Sequence, residues 1–310
     1  MKTFKGRDII DINDFSREEL LYVLSEAKRF DPTFVKRDRS NYEIAQGKIA
    51  AVLFFEQSTR TEQSFRSASQ KIGMGIIGFN DPESTSIHKG ESFRDTIRIM
   101  NAYADVLIMR HPESGAAKEA AEVADIPVIN AGDGPNQHPT QTMLDLYTIM
   151  KEAGKIDGIK VALMGDLKYG RTVHALSLAL SQFKVKQIFI SHPKLKMPEE
   201  FLKILKERRV EFEEFEKLPD DLDADFLYQT RVQKERFDDL KEYEKVKDLF
   251  VLGAPFRKYL DKGVKLMHPL PRVNEIDPAL DSHENAIYFK QAKNGLYIRE
   301  ALLALVLGRL

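Results

Sequence analysis

Cysteine is absent from all 310 residues, which excludes disulfides, thiolate nucleophiles and cysteine-ligated metal sites and is compatible with a reducing compartment. Charge of one sign is lacking too. The 47 basic and 48 acidic residues leave a formal net charge of −1, so the chain has no global attraction for nucleic acid or an anionic membrane. Any anionic ligand must then be held by a local cluster of cations. Long apolar runs are also missing: residues 49–55 and 302–307 are the longest, far short of the roughly 20 residues that a spanning helix needs. The first eleven residues mix charges with short apolar pairs and contain no signal-peptide core, so the expectation is a soluble, cytoplasmic protein.

What is present is 43% hydrophobic and 31% charged residues, the balance of a packed globular protein. The length exceeds the usual span of one hydrophobic core, so two lobes are expected. Short β-like runs alternate with amphipathic helical stretches, the pattern of parallel sheets flanked by helices. Strands are expected at 48–55, 75–79, 105–109 and 126–130, then in a second series at 160–164, 187–191, 210–214, 224–229, 250–252 and 264–267. The fold class is therefore α/β, with two doubly wound domains, each on a central parallel sheet. Ser16 and Glu19 form a capping-box pattern ahead of Leu20, Leu24 and Ala27, which predicts a first helix. Pro139 and Gly154 suit the two ends of a helix over 139–153, read as an interdomain connector. Ile298, Leu302 and Leu305 share a helical stripe, and this last segment is expected to pack back on the first domain. That gives one domain of 1–138 plus 292–310 and another of 139–291.

The apolar run 51–55 passes through Glu56 and Gln57 into Ser58, Thr59, Arg60 and Thr61, then into a helical pattern with Phe65, Ala68 and Ile72. A helix start offers unpaired N–H groups and partial positive charge; hydroxyls and Arg60 add to both, so a phosphate fits there. The alternative is that Ser58 and Thr59 only cap the helix and Arg60 is a solvated charge. Arg110 follows the strand 105–109, at the carboxyl end where ligands gather in parallel sheets, or is merely solvated. His138 and Gln141 lie three apart at the connector's start, where an imidazole can donate to a carbonyl oxygen and an amide can accept from an amine. A structural His-Pro pair is the other possibility there. Ser86 and Lys89 lie in the polar stretch 84–92, expected to be a mobile loop. Arg171 follows Gly165 and Gly170 at a strand-to-helix turn whose spacing is not the dinucleotide fingerprint.

The segment Phe54-Phe55-Glu56, Ser58-Thr59-Arg60-Thr61 and Ser64-Phe65 closely resembles the carbamoyl-phosphate loop of the aspartate and ornithine carbamoyltransferase family. Gln57 stands where that loop commonly has proline, and Glu62 where a second arginine is common. Glu62 removes a positive charge beside the phosphate, or steadies the helix start through its dipole. Five motifs in family order cover almost the whole chain. Residues 230–236 and the run His268-Pro269-Leu270-Pro271-Arg272 resemble the aspartate branch; the cysteine and the Ser-Met-Gly loop of the ornithine branch do not occur.

The resemblance implies transfer of a carbamoyl group from carbamoyl phosphate to L-aspartate in de novo pyrimidine biosynthesis, with ornithine or a related acceptor as the alternative. It implies that Ser58, Thr59, Arg60, Thr61, Ser86, Lys89 and Arg110 hold the phosphate. Thr61, Arg110 and His138 would donate to the carbonyl oxygen, while Gln141 and the carbonyl of Leu270, beside Pro271, orient the amino group. Lys89, Arg171, Arg231 and Gln233 would hold aspartate. The catalytic set is then Arg60, Thr61, Lys89, Arg110, His138 and Gln141. No metal or organic cofactor is implied, nor a nucleic-acid or membrane partner. A homotrimer is implied, with Ser86 and Lys89 serving a neighbouring chain, and the addition of regulatory chains in a larger assembly is left open.

Overall fold

The computed structural model describes residues 3–232, 243 and 248–310. The chain divides into two compact units, Met1–Leu144 with Asn294–Leu310, and Asp145–Lys293. In the first, β1 (Ile49–Phe54), β2 (Gly75–Phe79), β3 (Val106–His111) and β4 (Val128–Asp133) form a parallel sheet in the order β2-β1-β3-β4. Ala50, Ala51, Val52, Leu53 and Phe54 are all fully buried, because a strand covered on both faces needs an unbroken apolar run rather than alternation. Around the sheet run α1 (Arg17–Ala27), α2 (Thr59–Lys71), α3 (Phe93–Tyr103) and α4 (Ala116–Val123). Ala51, Leu53, Leu107 and Met109 of the sheet pack with Ile97 of α3 and Ala117 and Ala120 of α4. The expected capping box opens α1: the Ser16 hydroxyl accepts from the Glu19 N–H at 3.2 Å, and the Glu19 carboxylate accepts from the Ser16 N–H at 2.9 Å.

The connector helix α5 spans Pro139–Ala153, the range its proline and glycine predict. Then come β5 (Lys160–Met164), α6 (Arg171–Leu180), β6 (Lys186–Ile190), α7 (Glu199–Glu207), β7 (Phe212–Phe215), β8 (Phe226–Gln229), α8 (Arg257–Asp261), β9 (Lys265–Met267) and α9 (Tyr288–Val306). The second sheet is again wholly parallel, in the order β7-β6-β5-β8-β9. Its core joins Ala162, Met164, Ile188, Leu227 and Leu266 to Tyr259, Leu260 and Tyr288. At one edge β7 carries Glu213 and Glu214, flanked by Glu211 and Glu216, all four exposed.

Both sheets wind one way and then the other. Strand order reverses between β1 and β3 in the first and between β5 and β8 in the second. Such a reversal leaves a crevice at the carboxyl ends of the two strands, where open α/β sheets take their ligands.

Two expectations are corrected. Residues 250–252 are not a strand. The Phe250 carbonyl is taken by the Gln229 side-chain amide at 2.9 Å, and Leu252 makes a single isolated bridge with Ile276 before Gly253, Ala254 and Pro255 turn the chain. The stretch 84–92 is not irregular loop throughout: the 3-10 turn Ser86–Lys89 lies within it, just after a similar turn at Pro82–Ser84. Among the described residues no helix is long and apolar enough to cross a membrane.

Candidate active site

Four segments leave the carboxyl edge of the first sheet. Residues 58–61 follow β1, the turn holding Ser86 and Lys89 follows β2, Arg110 lies near the end of β3, and His138 and Gln141 follow β4. The register sets Phe54 beside Arg110, so the β1 loop and Arg110 sit together at the strand-order reversal. Ser86 and Lys89 are exposed on the other side of β1.

Ser58 occupies the N-cap of α2, yet its hydroxyl makes no capping bond. Thr61 is buried in the same first turn. Arg60 is there too, a cation at the helix end that favours anions. Although its side chain reaches solvent, its pKa is pulled down, first by partial desolvation and then by the like charge of Arg110. Two guanidinium groups that repel each other at a helix amino terminus form a site that an anion stabilises. Arg110 donates to the Ala131 carbonyl at 3.2 Å and pairs with Glu56 at 2.9 Å. Glu62 does not face this cluster alone: it is buried, pairs with Arg66 at 2.8 Å and accepts from Asn80 at 3.1 Å.

The approach to His138 is organised by Asp133, which is 1% exposed. One of its carboxylate oxygens accepts from the Gln137 N–H at 2.9 Å and the Asn130 amide at 3.0 Å; the other accepts from the Gly115 N–H at 2.9 Å and the Asn136 amide at 3.0 Å. Four donors on one carboxylate fix the turn that delivers His138 to the start of α5. His138 is buried, its Nδ1 3.5 Å from the Thr140 hydroxyl, and Gln141 is half-buried.

In the second unit Arg171 is the first residue of α6, again a cation where the helix favours an anion. Gly165 has φ +112, and a Cβ there would lie 2.4 Å from the Thr230 carbonyl oxygen, so only glycine permits this approach. The Thr230 hydroxyl accepts from the Asp166 N–H and donates to the Met164 carbonyl, both at 3.1 Å. The loops after β5 and β8 are thereby tied together, and Arg171 and Arg231 arise from adjoining strand ends. Arg231 lines a small, partly open pocket with Thr230, Val232 and Glu275. Leu270 and Pro271 follow β9, the next strand along. Gln233 lies outside the described residues. Sequence reasoning missed Glu56 and Glu275. For Glu56 a signal existed, an acid two residues before a cationic loop; for Glu275 only the folded chain reveals the partner.

Cations set in the first turns of helices and at strand ends, around two strand-order reversals, define a class of two-unit α/β proteins for polyanionic substrates. Residues 7–151 match the carbamoyl-P binding domain of aspartate/ornithine carbamoyltransferase, and residues 157–306 match the Asp/Orn binding domain. The aspartate carbamoyltransferase catalytic subunit of Thermococcus gammatolerans is 50% identical over 98% of this chain and 99% of its own length. That of Bacteroides thetaiotaomicron is 47% identical over 98% and 96%. Among solved structures, the catalytic subunit of M. jannaschii aspartate transcarbamoylase superposes with a TM-score of 0.90 at 47% identity, covering 97% of this chain and 98% of that one. Aspartate transcarbamoylase from Trypanosoma cruzi in complex with N-(phosphonacetyl)-L-aspartic acid gives 0.89 at 37% identity, covering 98% and 97%. The chain belongs to the aspartate/ornithine carbamoyltransferase family.

Proposed function

We propose that this protein transfers the carbamoyl group of carbamoyl phosphate to the amino group of L-aspartate, giving N-carbamoyl-L-aspartate and phosphate, a step of pyrimidine biosynthesis. The observation that carries this is the first sheet's reversal, where Arg60 and Arg110 repel each other beside a Ser58 hydroxyl that the helix does not use. The acceptor is supported by Arg171 at a second helix start, and by relatives of 47–50% identity that are aspartate carbamoyltransferase catalytic subunits.

In this mechanism Ser58, Thr59, Arg60, Thr61 and Arg110 hold the phosphate, and Arg171, Arg231 and Gln233 hold aspartate's carboxylates, which presents the amine to the carbonyl carbon. The amine nitrogen attacks and a C–N bond forms. Charge gathers on the carbonyl oxygen, where Thr61, Arg110 and His138 donate; removing one such donor typically costs about 100- to 1,000-fold in rate. The C–O bond to phosphate then breaks, and phosphate leaves with that electron pair and takes the proton from the amine. Gln141 and the Leu270 carbonyl, next to Pro271, orient the amino groups.

The working unit of this reading is a cytoplasmic homotrimer in which Ser86 and Lys89, both exposed, complete a neighbouring chain's site. Association with regulatory chains would fit relatives that are called catalytic subunits. Purified protein given carbamoyl phosphate with L-aspartate or L-ornithine tests the acceptor: product from aspartate alone is expected, and product from ornithine alone would overturn the assignment.

A further inference from the structure

Immediately after β9, His268 is 2% exposed and its Nε2 lies 2.8 Å from Oε1 of Glu275, itself 4% exposed. The other ring nitrogen, Nδ1, accepts from the Leu270 backbone N–H at 2.8 Å. A nitrogen that accepts carries no proton, so the ring hydrogen is on Nε2, the nitrogen that lies close to the Glu275 carboxylate without the alignment of a hydrogen bond. The second carboxylate oxygen of Glu275 accepts from the N–H groups of Val273 and Asn274 at 2.9 and 3.1 Å. Burial pushes this carboxyl up, but the His268 and backbone donors outweigh it, and the net pKa falls below the ordinary value. On the other side the His268 backbone N–H donates to the Gln291 side-chain oxygen at 2.8 Å, the Gln291 amide donates to Asp145 at 2.7 Å, and the Tyr228 hydroxyl donates to Asp145 at 2.9 Å.

The one residue that the imidazole itself grips is Leu270, half-buried, whose φ is +55. A leucine in the left-handed region is strained and persists only where its surroundings over-determine it. The Leu270 N–H is held by His268, and the N–H groups of Val273 and Asn274, three and four residues on, are held by Glu275. Neither acid nor imidazole is needed to fill an apolar core, and burying a carboxylate carries a desolvation cost that its bonds must offset.

We propose that His268 and Glu275 are positioning residues for carbamoyl transfer: the Glu275 carboxylate beside Nε2 favours the tautomer with its hydrogen there, the imidazole holds the Leu270 N–H, and the Leu270 carbonyl is thereby kept at one orientation toward the donor's amino group. This rests on the function proposed above, in which that carbonyl receives the amino group.

The test uses full-length variants. His268→Asn sets an amide oxygen near the place of Nδ1 and keeps an acceptor for Leu270, whereas His268→Gln extends toward the place of Nε2 and leaves the Leu270 N–H without one. For His268→Gln, kcat with aspartate should fall about 10- to 100-fold, the scale of a misplacement near 1 Å. The dissociation constant of inorganic phosphate, gripped in the other unit, should stay unchanged. His268→Asn should return kcat to within about threefold of wild type, a rescue that isolates the acceptor. Crystals of His268→Gln should show Leu270 out of the left-handed region. Wild-type kcat in folded His268→Gln, a folded His268→Asn as slow as His268→Gln, or an unmoved Leu270 would each overturn the proposal. Should the wild-type chain fail to carbamoylate aspartate, it is the functional reading that falls, and the Leu270 conformation in the variant crystals still decides whether His268 sets that carbonyl.

Discussion

Ser58 is the residue where a structural and a chemical role separate most cleanly, because its hydroxyl sits at a helix start without capping it. An N-cap serine normally contributes about 1 kcal/mol through its side chain. Ser58→Ala should therefore leave the melting temperature nearly unchanged while weakening phosphate binding about tenfold, as expected for one bond to a charged group. Calorimetry and a phosphate titration distinguish this from a cap, which would lower the melting temperature. His138→Ala should lower turnover about 100-fold with phosphate binding intact, since its contact strengthens as the oxyanion forms; steady-state kinetics reads it. Glu300 is different in kind, being fully buried against Arg37 at 3.0 Å. Burial raises its pKa from 4.5 to about 7, against the opposing pull of Arg37. Between those values the folded chain holds a proton that the unfolded chain releases, so the stabilisation is full below 4.5 and is lost as pH rises through about 7. Denaturant unfolding across that window should show stability falling with pH, and Glu300→Gln should flatten the slope.

At the scale of elements, local chemistry was easy to read and long-range chemistry was not. The strands 75–79 and 160–164 and the helix Pro139–Ala153 have the bounds that their apolar runs and end residues predict. The capping box of α1 is legible because its partners lie three residues apart; Ser16→Ala should cost about 1 kcal/mol in a chemical denaturation curve. Residues 250–252 looked like a strand because three apolar positions say nothing about a glutamine on another strand that takes the Phe250 carbonyl. The run Gly73-Met74-Gly75-Ile76-Ile77-Gly78 has dinucleotide-loop spacing, yet it runs from the end of α2 into β2, helix to strand, the reverse of what that loop requires. Glu56 beside a cationic loop was a signal in the sequence, but its partner Arg110 was not, and neither member of the His268–Glu275 pair pointed to the other. Each pair joins segments that only the sheets or the turn after β9 bring together.

For the molecule as a whole, the α/β class was legible from strand and helix alternation, while the meeting of Arg60 with Arg110 in one unit, and of the Arg171 and Arg231 loops in the other, needed the strand orders. If Ser86 and Lys89 serve a neighbouring chain, inactive Arg60→Ala and inactive Lys89→Ala proteins should regain partial activity after mixing, since a hybrid ring contains a complete site. Lack of recovery, with exchange of chains verified, would count against sharing. The edge strand β7 bears on crowding rather than chemistry. A terminal strand leaves a row of backbone groups open to another chain, and here Glu213 and Glu214, between Glu211 and Glu216, crowd that edge with exposed carboxylates. Two copies approaching edge to edge bring these carboxylates together, offset in part by Lys186, which pairs with Glu211 and Glu213, and by Lys196, which pairs with Glu216. The colloidal stability of concentrated solutions therefore draws on this short strip, and added salt, which screens it, should let fibril-like stacking begin sooner.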